Sequence, residues 1–145
     1  MDKIKFTTNV KIIKNGEIVK NVTNTIVNAG LAALSGLLLL DIGGTAFDYL
    51  AIGTGSSAVT AADTTLGTES YRVAGTGTQQ TSSVANDTAR LTGSFSITGT
   101  HAITEAGILN AASTGTLLNR TVFSAVNVNS GDTLEIQWDI TFANA

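Results

Sequence analysis

Gly53-Thr54-Gly55-Ser56-Ser57-Ala58 follows a β-prone run and fits the GxGxxA form of a dinucleotide-binding turn. That chemistry works only where the turn opens a helix within a parallel βαβ unit, with an acidic residue about 20 positions on. Here Val59 to Gly67 continues as small and polar residues, and no helices interleave the surrounding strand patterns. The sequence therefore predicts a glycine-rich connection and no cofactor. His101 is the single histidine, and only Glu105, four residues on, offers a second metal ligand nearby. Metal sites need several converging ligands, so no metal is expected, and His101 reads as a satisfied polar residue at a strand start. The absence of cysteine removes thiol nucleophiles, disulfides and cysteine zinc sites. No serine lies in a G-x-S-x-G elbow. Asp132, Glu135 and Asp139 could act as a glycosidase pair only across a cleft, and their spacing places them on the polar face of one strand. The expectation is no catalytic residue and no enzyme.

The elements that carry these residues are mostly strands. Ile4, Phe6, Thr8, Val10 and Ile12 alternate with Lys3, Lys5, Thr7, Asn9 and Lys11, the pattern of a half-buried strand. Asn15-Gly16 is the preferred pair for a type I′ hairpin turn, and Glu17 to Ile26 reads as the returning strand. Asn28 is placed to cap a helix, with Ala29 to Leu40 rich in Leu and Ala and Gly43-Gly44 ending it. Phe47 to Gly53 is apolar on both faces and predicts a central strand. Further strands are expected over Tyr71 to Thr78, Ala89 to Thr98, His101 to Leu109, Leu117 to Val128 and Asp132 to Phe142. The last has the clearest alternation, with Leu134, Ile136, Trp138, Ile140 and Phe142 expected in the core and Asn129-Ser130-Gly131-Asp132 forming the turn before it. Threonine supplies 23 of 145 residues, which suits pleated, half-wet surfaces. The predicted fold is an all-β sandwich, jelly-roll-like, with about 7–9 strands, an N-terminal hairpin and one short helix near residues 29–40.

Charge divides the chain. All five lysines (Lys3, Lys5, Lys11, Lys14 and Lys20) precede Asn21, where they outweigh Asp2 and Glu17 to leave +3. Beyond it Arg72, Arg90 and Arg120 face nine carboxylates, leaving −6. The expectation is a basic hairpin arm, residues 1–27, on an acidic body, residues 28–145, within one domain. Lys3, Ile4, Lys5, Phe6, Val10, Lys11 and Ile12 are the candidate contacts to a neighbouring copy, with charge setting register. The plain alternative is that the hairpin supplies two more strands of its own sandwich. Three arginines make no basic surface for nucleic acid. The apolar run Leu31 to Leu40 is about 15 Å long if helical, too short for a bilayer core of roughly 30 Å, so no membrane insertion is expected. Thirty residues with their own strand pattern stand ahead of that run, unlike a signal peptide. Without proline, strand edges lack one common guard against pairing with a neighbour.

The stretches "NAGLAALSGLL", "FDYLAIGTGSSAVTAADTTLGTESYR" and "ITEAGILNAASTGTLLNRTVFSAVNVNSGDTLEIQWDITF" resemble small virion proteins of tailed bacteriophages, described as tail-fibre or minor structural proteins. The resemblance spans Asn28 to Phe142. Its most specific pieces are Ala51-Ile52-Gly53-Thr54-Gly55, Glu105-Ala106-Gly107-Ile108 and Gly131-Asp132-Thr133-Leu134. None is a catalytic motif, so the resemblance implies no site residue. It implies a structural protein located in the virion, tail- or tail-fibre-associated or capsid-decorating, whose partners are itself as a homo-oligomer and other virion proteins. Other readings are a receptor- or carbohydrate-binding tail-fibre module with a host surface receptor as partner, and a subunit of an extracellular filament.

Overall fold

The computed structural model describes residues 3–39 and 44–145. In chain order these form β1 Ile4–Lys14, β2 Glu17–Val22, β3 Thr25–Ile26, α1 Asn28–Leu39, β4 Tyr49–Gly53, β5 Glu69–Ala74, β6 Thr76–Gln80, β7 Thr88–Ser96, β8 His101–Leu109, β9 Leu117–Val128 and β10 Thr133–Asn144. Two five-stranded antiparallel sheets, ordered β2-β1-β10-β7-β6 and β3-β9-β8-β4-β5, enclose a common apolar core. The protein is an all-β sandwich. Pairing of β1 with β10, β3 with β9 and β4 with β8 joins strands distant in sequence within the two sheets.

Ten strands rather than 7–9 arise among the described residues because two expected runs break at sheet corners. Glu17 to Ile26 divides into β2 and β3, and Tyr71 to Thr78 into β5 and β6. Each break carries the chain from one sheet to the other. Gly75 stands at the second, its N–H bonded to the Asp48 carbonyl at 2.7 Å. Alternation looks the same on both sides of a corner, so period alone does not reveal it.

The hairpin turn forms as expected, with φ of 49° at Asn15 and 84° at Gly16, values the Asn-Gly pair tolerates. Its setting differs from an arm. β1 lies between β2 and β10, paired with β10 from Ile4↔Asn144 to Lys14↔Leu134. Val10 and Ile12 are fully buried in the sandwich core. Residues from Ile4 to Ile26 are part of the body, which is the plain alternative.

Asn28 does not cap α1 with its side chain. The Val27 carbonyl accepts the first helical bond, from Leu31 N–H at 3.1 Å, so Val27 holds the cap position. Asn28 opens the first turn, and its N–H is satisfied by the Ala61 carbonyl at 2.8 Å. The helix runs to Leu39. Its expected last residue, Leu40, and the expected stop at Gly43 lie outside the described residues. No helix among the described residues is long and apolar enough to cross a membrane.

β10 follows its alternation. Leu134, Ile136 and Trp138 have no exposed surface and Ile140 is buried, but Phe142 is 42% exposed. Phe142 lies one residue past the last β7–β10 pair, Thr141↔Thr88, and its ring meets Phe6 edge-on at 5.1 Å between ring centroids. Alternation assigns a face, not a depth. Trp138→Ala should cost about 3–5 kcal/mol, readable in denaturant unfolding. A midpoint near wild type would mean that the ring contributes little to the core.

Candidate functional site

The charged centre of the molecule is Glu105 on β8, fully buried. Backbone N–H groups of Gly55 and Thr68 donate to its Oε1 at 2.9 and 2.7 Å, and that of Gly67 to its Oε2 at 2.8 Å. Arg120 on β9, equally buried, donates Nε to Oε2 at 2.9 Å and Nη1 to Asp63 Oδ2 at 2.9 Å. Burial alone would raise the Glu105 pKa; the Thr68 and Gly67 N–H groups, Arg120 and Gly55 N–H outweigh it and hold the carboxyl below its ordinary value. Asp63 is likewise held down against its own desolvation, by Thr60 N–H and hydroxyl and by Arg120.

This cluster explains the glycine pattern. A Cβ on Gly55 would overlap Glu105 Oε1, and one on Gly53 would collide with the Thr68 carbonyl. The apparent nucleotide motif thus packs against an internal carboxylate, to which its Gly55 N–H donates while those of Gly67 and Thr68 donate from the following segment. Gly53 lies opposite Glu105 in the β4–β8 register, which places two of the resemblance's most specific pieces in contact. Sequence reading missed the pair. Its trace was one charge of each sign inside apolar strands, Glu105 before Ala106-Gly107-Ile108-Leu109 and Arg120 after Leu117-Leu118.

The other expected residues fall apart in space. His101 opens β8, its Nε2 3.0 Å from the Tyr71 hydroxyl and 3.1 Å from the Thr98 carbonyl. The partners of Glu105 lie elsewhere, so His101 and Glu105 form no ligand pair. Among the described residues no three His, Cys, Asp or Glu side chains converge on a metal position. Asp139 is held bidentately by Arg90 at 2.7 and 2.8 Å. Asp132 caps its own turn through Asn129 N–H and accepts from the Asn15 amide. Those two bonds, Asn15 first, hold its pKa below the ordinary value. These are architectural roles, and Glu135 lies half-buried on the same face of β10 as Asp139.

The candidate assembly residues also divide. Val10 and Ile12 are inside. Lys3, Ile4 and Lys5 are exposed, while Phe6 and Lys11 are half-buried. Lys14 donates to the Asn127 carbonyl at 2.9 Å, and Lys20 bonds the Ser124 hydroxyl. Two of the five lysines therefore hold β1 and β2 against β9 of the same chain.

One apolar cleft of about 610 Å³ opens between the sheets beside α1. Register shows why it exists. On the inward face Gly77 and Trp138 flank Leu91, and Gln79 and Ile140 flank Ala89. Gly77 and Ala89 supply too little side chain to fill the gap. A Cβ on Gly77 would meet nothing within 4 Å. Leu34 and Leu37 of α1 form the facing wall.

No family model, curated protein or solved structure matches the chain.

Proposed function

We propose that this chain is a non-enzymatic structural protein of a bacteriophage virion, assembling in multiple copies on the tail, tail fibre or capsid. The observation that carries the assembly role is α1. Leu31 and Leu38, two turns apart, are 45% and 74% exposed, in a stretch with no charged residue from Asn21 to Leu39. A helix that is apolar all round is ordinarily buried, and exposed apolar surface marks a contact site. The absence of basic residues on α1 disfavours a membrane-surface role. β6 adds a second surface: it is a sheet edge of sequence TGTQQ, without charge or proline, open to strand addition. The virion assignment rests on the resemblance of the stretches from Asn28 to Phe142. A carbohydrate-binding tip would present aromatic faces, and among the described residues Phe142 alone is a largely exposed aromatic. Negative-stain images of the purified protein test the proposal. Rings, trimers or tubes of defined size are expected, open filaments would favour the filament reading, and single particles at high concentration would reject assembly by this chain alone.

A further inference from the structure

We propose that β6 pairs with β6 of a second copy, antiparallel about a two-fold axis through Thr78, joining two five-stranded sheets into one. The inference rests on the assembly role proposed above and names the surface and the partner for one of its contacts. Among the described residues the sheet edges are β2, β6, β3 and β5. Three of them carry devices that discourage edge pairing: charge, a bulge or extreme shortness. β2 has Glu17 and Lys20 and skips Val19 in its register. β5 has Glu69 and Arg72 and skips Ser70, and β3 has only two residues. β6 has none of these, and its register with β7 is unbroken from Thr76↔Thr92 to Gln80↔Thr88. It is also held in place before any partner arrives. At one end Gly75 N–H is bonded to the Asp48 carbonyl; at the other, Asp87 accepts the N–H groups of Ser82, Ser83 and Val84. A strand ordered in advance loses little entropy on pairing.

Self-complementarity selects a second copy as the partner. Facing residues in an antiparallel ladder turn their N–H and C=O both toward each other or both away. Only residues of equal parity can therefore face, and full overlap of the five residues of β6 meets that condition with the axis on Thr78. Thr78 then meets the partner's Thr78, Thr76 meets the partner's Gln80, and Gly77 meets the partner's Gln79. A Cβ on Gly77 would meet nothing within 4 Å, and Gln79 is exposed, so the partner's Gln79 covers the strip that Gly77 leaves bare. The charge opposite Thr78 on β7 is Arg90, held by Asp139. The two copies of Arg90 would stand three strand spacings apart, roughly 14 Å, beyond the screening length of about 8–10 Å.

The chain has no cysteine, so Thr78→Cys supplies the only thiol. On the axis its Cα lies about 4.5–5.5 Å from its counterpart, within disulfide range, and mild oxidation should give a cross-linked dimer. Thr76→Cys is the control: its counterpart lies four residues along the strand, roughly 13 Å away, and should not cross-link. Thr78→Glu should fold, gaining Arg90 as a cross-strand neighbour. It should weaken the dimer by about tenfold or more in sedimentation, because two like charges face across the axis. Wild-type dimers, with cross-linking at position 78 and not at 76, are the expected result. Equal cross-linking at both positions, or a folded Thr78→Glu chain that dimerises like wild type, would overturn the proposal. A wild type that stays monomeric at high concentration would leave the edge to a strand of another protein and overturn it too. Rings or trimers that form without cross-linking at position 78 would overturn this pairing while leaving the assembly role intact.

Discussion

Deletion of residues 1–27 is expected to abolish folding rather than merely detach a contact arm. The segment supplies β1, β2 and β3, and β1 is an inner strand whose loss would expose β10 along its whole length. Val10 and Ile12 leave the core with it, and a buried Ile→Ala change alone costs about 2–5 kcal/mol. Natural domains have only about 5–15 kcal/mol in hand. The truncated chain should show no cooperative transition in circular dichroism or denaturant titration, and Ile12→Ala should lower stability by about 2–5 kcal/mol. Replacing the exposed Lys3 and Lys5 by Gln should change stability by no more than about 0.5 kcal/mol. A truncated chain that melts cooperatively would restore the picture of a separable arm.

Breaking the Glu105–Arg120 pair is expected to have the next largest effect. Removing one partner of a buried ion pair costs about 3–5 kcal/mol, because the other charge stays behind in low dielectric. Glu105→Gln is nearly isosteric, but its NH2 group would face N–H donors of Gly55, Gly67 or Thr68, so the penalty is not relieved by shape. The midpoint of thermal unfolding should fall on the order of 10 °C. The sign of the pH dependence follows from the lowered pKa. Above the unfolded-state value, in the ordinary carboxylate range, the full contribution is present. It is lost as pH falls through the folded-state value, since the unfolded chain binds the proton more readily. Wild-type protein should therefore lose stability on acidification below about pH 4, and Glu105→Gln should show a shallower slope there. A variant with wild-type melting temperature would mean that the pair contributes little net energy.

Strand periodicity made most of the sandwich legible. β8 and β9 fall on the expected residues, and β10 within two at its end, because period-two alternation is local and needs no partner to be seen. Sheet corners were not legible: Thr23-Asn24 and Gly75 interrupt no alternation, yet they send the chain across the core. The charge split was real in sequence and misleading in space, because Lys14 and Lys20 find their partners on β9, more than 100 residues away. The Gly53–Ala58 motif was legible as a glycine-rich connection, but its packing depended on Glu105, brought opposite by strand pairing. The cleft depends on a β6–β7–β10 register that places Gly77 and Ala89 inward, which no local pattern carries.

Hydrogen exchange at Gly55, Gly67 and Thr68 most directly tests the claim that the chain's chemistry-bearing residues serve its architecture. All three N–H groups lie outside regular strand–strand pairing and are held by one side chain. Slow exchange at all three in the wild type, lost together in Glu105→Gln, is the expected result. Exchange at the rate of an open loop in the wild-type protein would contradict it and leave Glu105 free for another role.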